Sequence, residues 1–165
     1  MDRAMRLIEI IEKNPGIKFR EIMRETGMKN GVLEYYAGKL ERDGTVKIDR
    51  SPGQTRFYPL GIAEEDISLI KNLRQETPRQ ILSSLLQHGM LSFSELVEKI
   101  RKSPATVSLY LAQVARDDLI ESKLVDFKKR YYVKDMEKLQ QIIDKYHPSL
   151  IESSADHLAD TFSSL

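Results

Sequence analysis

Residues 29–58 read KNGVLEYYAGKLERDGTVKIDRSPGQTRFY, and residues 103–132 read SPATVSLYLAQVARDDLIESKLVDFKKRYY. The two stretches lie 74 residues apart and align without a gap. Working outward from them, residues 4–59 lie on residues 78–133 along their whole length. Phe19 falls on Phe93, Glu21 on Glu95, Tyr36 on Tyr110, Arg42-Asp43 on Arg116-Asp117 and Arg56 on Arg130. Only seven of the 56 pairs are identical, so identity proves little; the register of apolar positions is what persists. One supersecondary unit is therefore expected to be used twice.

In the first copy, Met5, Leu7, Ile8 and Ile11 stand at helical spacing over 3–13, and Asn14-Pro15-Gly16 stops that helix. Phe19 to Thr26 reads as a second helix, ended by Gly27. A third runs from about Asn30 to Arg42, burying Leu33, Tyr36 and Leu40, and Asp43-Gly44 ends it. Val46 to Asp49 and Thr55 to Tyr58 alternate as strands around Ser51-Pro52-Gly53. The second copy repeats this order with different residues. Pro78 opens its first helix, Ser103-Pro104 opens its third, and the hairpin turns at 126–129 without a glycine or proline. Three helices followed by a hairpin is the order of a winged helix-turn-helix. The expected fold is mainly α with small β-hairpin wings: tandem winged helix-turn-helix domains at 1–60 and 78–133, a helical connector at 61–77, and C-terminal helices at 134–165.

Charge follows the same division. Residues 1–60 hold 12 Lys/Arg against 9 Asp/Glu, and residues 78–133 hold 9 against 6. Residues 61–77 hold 2 against 4, and residues 134–165 hold 3 against 6. Two basic repeats between acidic segments point to polyanion contact through the repeats. The chain has no cysteine, which excludes disulfides, thiol nucleophiles and Cys-based zinc sites. No apolar run approaches a membrane span, and the N-terminus shows no secretory core, so a cytoplasmic protein with no membrane partner is expected.

NPGIKFREIMRETGMKNGVLEYYAGKLERDGTVKI with RFYP resembles the first half of archaeal predicted transcriptional regulators that carry two tandem winged helix-turn-helix domains. LLQHGMLSFSELVEKIRKSPATVSLYLAQVARDDLIES with RYYV resembles the second half. Both also resemble the broader MarR- and ArsR-type winged-helix regulators, and together they cover about two thirds of the chain. The resemblance implies double-stranded DNA as partner and transcriptional control as function, with repression by blocking a promoter the simplest mechanism.

An α-helix enters the major groove and its leading residues reach base edges. In the first domain that selects Lys29, Asn30, Glu34, Tyr35 and Lys39, with Asn30 suited to adenine and the lysines to guanine or phosphate. In the second it selects Lys102, Ser103, Thr106, Ser108 and Gln113. The wings add Arg50, Gln54 and Arg56, then Lys123, Lys128, Lys129 and Arg130, expected on phosphates or in the minor groove. Each has a plainer reading as solvated surface. Arg56 and Arg130 have another as structural partners of Asp43 and Asp117. Tyr36 and Tyr110 read as core, and Glu34 weighs against nonspecific binding because a carboxylate is repelled by phosphates.

The connector carries acids at 64–66 and a partial stripe of Ile67, Ile70 and Leu73/Arg74. A tail helix is expected at about 135–146, broken by Pro148. Beyond it Ile151, Ala155, Leu158, Phe162 and Leu165 form a short heptad seam, expected to serve a homodimer or to dock on the same chain. No phosphate-cradling glycine loop, Gly-x-Ser-x-Gly or paired-His motif is present, so neither catalysis nor a cofactor or metal is expected. The competing class is a protein-binding tandem winged-helix scaffold, with a transcription-machinery protein as partner.

Overall fold

The computed structural model describes residues 2–151. The chain divides into two compact units, with boundaries between Ile70 and Lys71 and between His147 and Pro148.

In the first unit, α1 (Arg3–Lys13), α2 (Phe19–Thr26) and α3 (Asn30–Arg42) precede a hairpin of β2 (Val46–Ser51) and β3 (Gln54–Pro59). Each boundary has a local cause. The Asp2 carboxylate accepts the Met5 N–H at 2.7 Å and caps α1. Gly27 closes α2 at φ 73°, the left-handed conformation that spares glycine a Cβ clash. A two-residue strand, β1 (Ile17–Lys18), which the apolar spacing does not signal, pairs antiparallel with β3 to give the order β1-β3-β2. Leu7, Ile11, Ile17, Ile22, Leu33, Ala37, Leu40, Val46 and Phe57 form the core. Burying side chains of this size contributes roughly 1.5–3 kcal/mol each before chain entropy is subtracted.

The second unit repeats the first with close fidelity. It contains α5 (Glu76–His88), β4 (Leu91–Ser92), α6 (Phe93–Ile100), α7 (Pro104–Arg116), β5 (Ile120–Val125) and β6 (Lys128–Val133), with sheet order β4-β6-β5. From the first short strand to the end of the hairpin, every element begins and ends 74 residues after its counterpart. Backbone conformation is kept even where the residue is not. Gly27, Gly44 and Gly53 have positive φ, and so do Arg101, Asp118 and Phe127 at the matching positions. The turns out of the second and third helices thus follow the same course, while the hairpin tips agree only at their second residue: Asp126 also has positive φ, at 52°, where Pro52 does not.

Two boundary expectations change. The first helix of this unit starts at Glu76, after Gln75, which leaves Pro78 inside the first turn rather than at its head. Proline is tolerated there because first-turn N–H groups have no intrahelical acceptor. The tail helix α8 (Met136–Leu150) runs through Pro148 instead of stopping before it. The buried Leu150 beyond the proline is the gain set against its missing donor. Between the first hairpin and α5 lies α4 (Glu64–Leu73), with three acids in its first turn.

Ser92-Phe93-Ser94-Glu95 is a capping box. The Glu95 N–H donates to Ser92 Oγ at 3.3 Å, and the Ser92 N–H donates to Glu95 Oε1 at 3.2 Å. Those bonds to Ser92, and then the Arg130 charge, hold the Glu95 carboxyl below its ordinary value. A carboxyl lowered by folding stabilises the fold above its unfolded pKa and loses that contribution as pH falls through the folded value. Glu95→Gln is therefore expected to flatten the acid limb of a urea-midpoint-versus-pH curve and to converge with wild type at low pH. Parallel curves would mean that this box does not contribute to acid stability.

Candidate nucleic-acid interface

In the first unit, α3 turns Leu33, Ala37 and Leu40 into the core and leaves Lys29, Asn30, Glu34, Tyr35 and Lys39 on solvent. Lys29 is the N-cap residue and makes no side-chain cap bond. Tyr35 is 62% exposed and packs edge-on against Tyr36 at 5.2 Å. Asn30 and Glu34 line an open groove of about 520 Å³, facing Arg50, Gln54 and Thr55 of the wing and Arg20 of α2. Half of the side chains expected of this domain therefore meet in one groove between helix and hairpin. Lys29 opens instead onto a smaller recess of about 260 Å³ with Arg3, Arg6 and Val32.

Arg3, Arg6 and Arg20 are cations that the helix-and-wing reading missed. Arg6 Nη2 donates to the Glu25 carbonyl at 3.2 Å and Arg20 Nη2 to the Gly53 carbonyl at 3.4 Å. Their sequence signal is only a basic residue on the polar face of a helix. Which helix end adjoins the start of α3 is a tertiary fact.

Two wing residues of this unit are tied internally. Arg50 donates to both Glu41 carboxylate oxygens, at 2.6 and 2.9 Å, and this fork holds the Glu41 carboxyl below its ordinary value. Arg56 leaves the DNA-contact set altogether. It is 0% exposed, and its Nη1 donates to the Gly16 carbonyl at 2.9 Å. The cause is register: Arg56 lies on the central strand, with Asp49 opposite on β2 and Lys18 opposite on β1. This bond goes to Gly16 rather than to the alternative partner Asp43.

The second unit differs at the same positions. Ser103 caps α7, accepting the Thr106 N–H at 3.1 Å and donating its hydroxyl to Thr106 Oγ1 at 2.9 Å. Lys102 donates to Glu76 at 3.1 Å and to Thr77 Oγ1 at 2.7 Å. Gln113 is half-buried and leaves the base-reading set: its Nε2 donates to Asn72 Oδ1 at 2.9 Å and to Gln75 Oε1 at 3.2 Å. Asn72 in turn donates to Asp117 at 2.8 Å, so the amides close a network that ends on the C-cap of α7. Arg130 pairs with Glu95 at 3.0 Å, not with Asp117. Ser108 and Leu109 stay exposed on α7, and Lys123, Lys128 and Lys129 stay exposed on the wing. Lys123 and Lys129 stand over the rings of Tyr132 and Tyr131, at 5.7 and 5.5 Å.

Residues 2–47 match the family model for winged helix-turn-helix DNA-binding domains, and residues 75–122 match that of the bacterial regulatory protein arsR family. The chain carries two winged helix-turn-helix units. The first is a DNA-binding family and the second a family of regulatory proteins, and together they support a transcriptional regulator. Among solved structures, HlyU from Vibrio cholerae is similar at 28% identity over 47% of this chain and 84% of its own, with a TM-score of 0.42. The transcriptional repressor PagR of Bacillus anthracis is similar at 21% over 49% and 91%, with a TM-score of 0.44. The transcriptional repressor BigR from Xylella fastidiosa is similar at 16% over 73% and 96%, with a TM-score of 0.43. A comparison with curated protein sequences gives no match. No described helix is long and apolar enough to cross a membrane.

Of the expected dimer seam, Ile151 is exposed, while Ala155, Leu158, Phe162 and Leu165 lie outside the described residues.

Proposed function

We propose that this winged-helix protein binds double-stranded DNA and regulates transcription, with its two units dividing the work. The first unit reads sequence through α3. The carrying observation is the solvent face of that helix, where Asn30, Glu34 and Lys39 stand exposed opposite Leu33 and Leu40. Asparagine suits the adenine edge, glutamate accepts from cytosine, and lysine suits guanine or phosphate. The second unit offers mainly hydroxyls on α7 and lysines on the wing, which suits phosphate anchoring rather than base readout. Promoter occlusion needs no further chemistry, so repression is the mechanism proposed. A two-fold dimer, matching paired half-sites, is the proposed assembly.

The test is titration into random-sequence duplex DNA across a salt series. Affinity should fall steeply, with a log–log slope of about −0.9 for each phosphate neutralised. Lys128→Ala with Lys129→Ala should make that slope shallower by about 2. Leu109, 65% exposed on α7, is the observation that favours a protein-binding scaffold instead. Weak binding that is flat in salt would select that reading.

A further inference from the structure

The tip of the second wing holds a side chain that folding does not explain. Asp126 and Phe127 form the two-residue loop between Val125 and Lys128, with φ of 52° and 66°. A loop with both residues left-handed is the hairpin turn that asparagine and glycine fill without strain. The first wing has Gly53 at the matching position, with φ 72°. Phenylalanine there brings a Cβ into a region that bulky residues rarely adopt. It also gains nothing from burial, because Phe127 is 100% exposed. An exposed aromatic ring held at a strained apex points to an external partner.

The surroundings indicate its chemistry. Lys128 follows the tip directly, and Lys123 and Lys129 lie within three ladder positions of it. All three are exposed, and none has an ion pair among the described residues. Asp126 is the only acid in the loop, and short polar residues of its kind tolerate the left-handed region. Leu124, 74% exposed on the same hairpin, is the nearest other large exposed apolar side chain, and one leucine and one ring set among three lysines fall short of the continuous apolar patch that a protein interface draws on. The ring among lysines fits a polyanion with stacked, separable flat faces.

We infer that Phe127 is a wedge that enters the minor groove of duplex DNA and opens a base step while Lys123, Lys128 and Lys129 hold the flanking phosphates. The inference rests on the duplex-binding reading above and adds a deformation to it. Apolar wedges of this kind unstack a step and kink or unwind the helix. Pyrimidine–purine steps yield most easily, so the wedge contributes sequence preference without a base hydrogen bond.

The experiment uses the full chain and needs no known operator. Closed-circular plasmid is relaxed by topoisomerase with and without saturating protein, and the change in linking number is read on a gel. Affinity for random-sequence duplex and thermal stability are measured on the same proteins. Wild type is expected to unwind the plasmid. Phe127→Gly should lose the unwinding, keep duplex affinity to within about threefold because the lysines remain, and melt at a temperature no lower than wild type because the strain is relieved. Phe127→Leu, still apolar, should retain most of the unwinding. Unwinding by the glycine variant equal to wild type overturns the wedge, and so does duplex binding by wild type without any unwinding. A glycine variant that folds but no longer binds also overturns it, because anchoring would then not lie with the lysines. Absence of duplex binding by wild type removes the DNA-binding reading and the wedge with it.

Discussion

Arg56→Ala is expected to unfold the first unit rather than to weaken its grip on a ligand. The guanidinium is fully buried on the central strand and satisfies the Gly16 carbonyl at 2.9 Å. Its removal leaves that acceptor without this donor, opens a cavity and strips Asp49 of the cation opposite it in the ladder. Losses of this kind add to about 3 kcal/mol. For a unit of this size that shifts the melting temperature by more than 10 °C, at roughly 4–8 °C per kcal/mol. Arg130→Ala, the same position in the second unit, is expected to cost only about 1 kcal/mol. Arg130 is half-buried and its partner Glu95 is partly in water. Thermal melts of the two variants followed by circular dichroism make the comparison. Equal, small shifts together with a loss of duplex affinity would return Arg56 to the contact surface.

Asn30→Ala is expected to cost about 1–3 kcal/mol of affinity for a selected operator, roughly ten- to a hundredfold, while leaving random-duplex binding nearly unchanged. Lys39→Ala should weaken all duplexes alike and lower the salt slope by about 1. Gln113→Ala behaves differently. It breaks the amide network from Asn72 to Asp117, so it should lower the stability of the second unit by about 1–2 kcal/mol and leave base preference intact. Selecting sites from a random library with each variant, then competing them against random duplex, separates these outcomes. If Gln113→Ala relaxes the selected sequence and Asn30→Ala does not, the division of labour between the units is the reverse of the one proposed.

Much of this was legible in the residues. The helices α2 and α3 appear at their expected limits because Gly27 and Asp43-Gly44 are strong local punctuation and because Leu33 and Leu40 recur at helical period. The short strands β1 and β4 were not legible. A two-residue strand has no period, and Ile17 and Leu91 become strand residues only when β3 and β6 arrive beside them. The second hairpin tip was hidden for a related reason: Asp126-Phe127 lacks the glycine that usually marks a left-handed turn, so only the backbone reveals one.

The candidate site divides along the same line. Sequence by itself determined the duplication, the order of elements and which face of α3 is polar, since these follow from spacing along one chain. Only the tertiary structure decided which cations remain in water. Arg56, Arg50, Lys102 and Gln113 look alike in a list of polar residues on helix and wing, yet each meets its partner across a ladder, a helix packing or a cap. Periodicity reports how far a side chain turns from its own element's core. It carries no information about the groups that other elements bring within 3 Å, and those groups decide whether a charge is free to meet a phosphate.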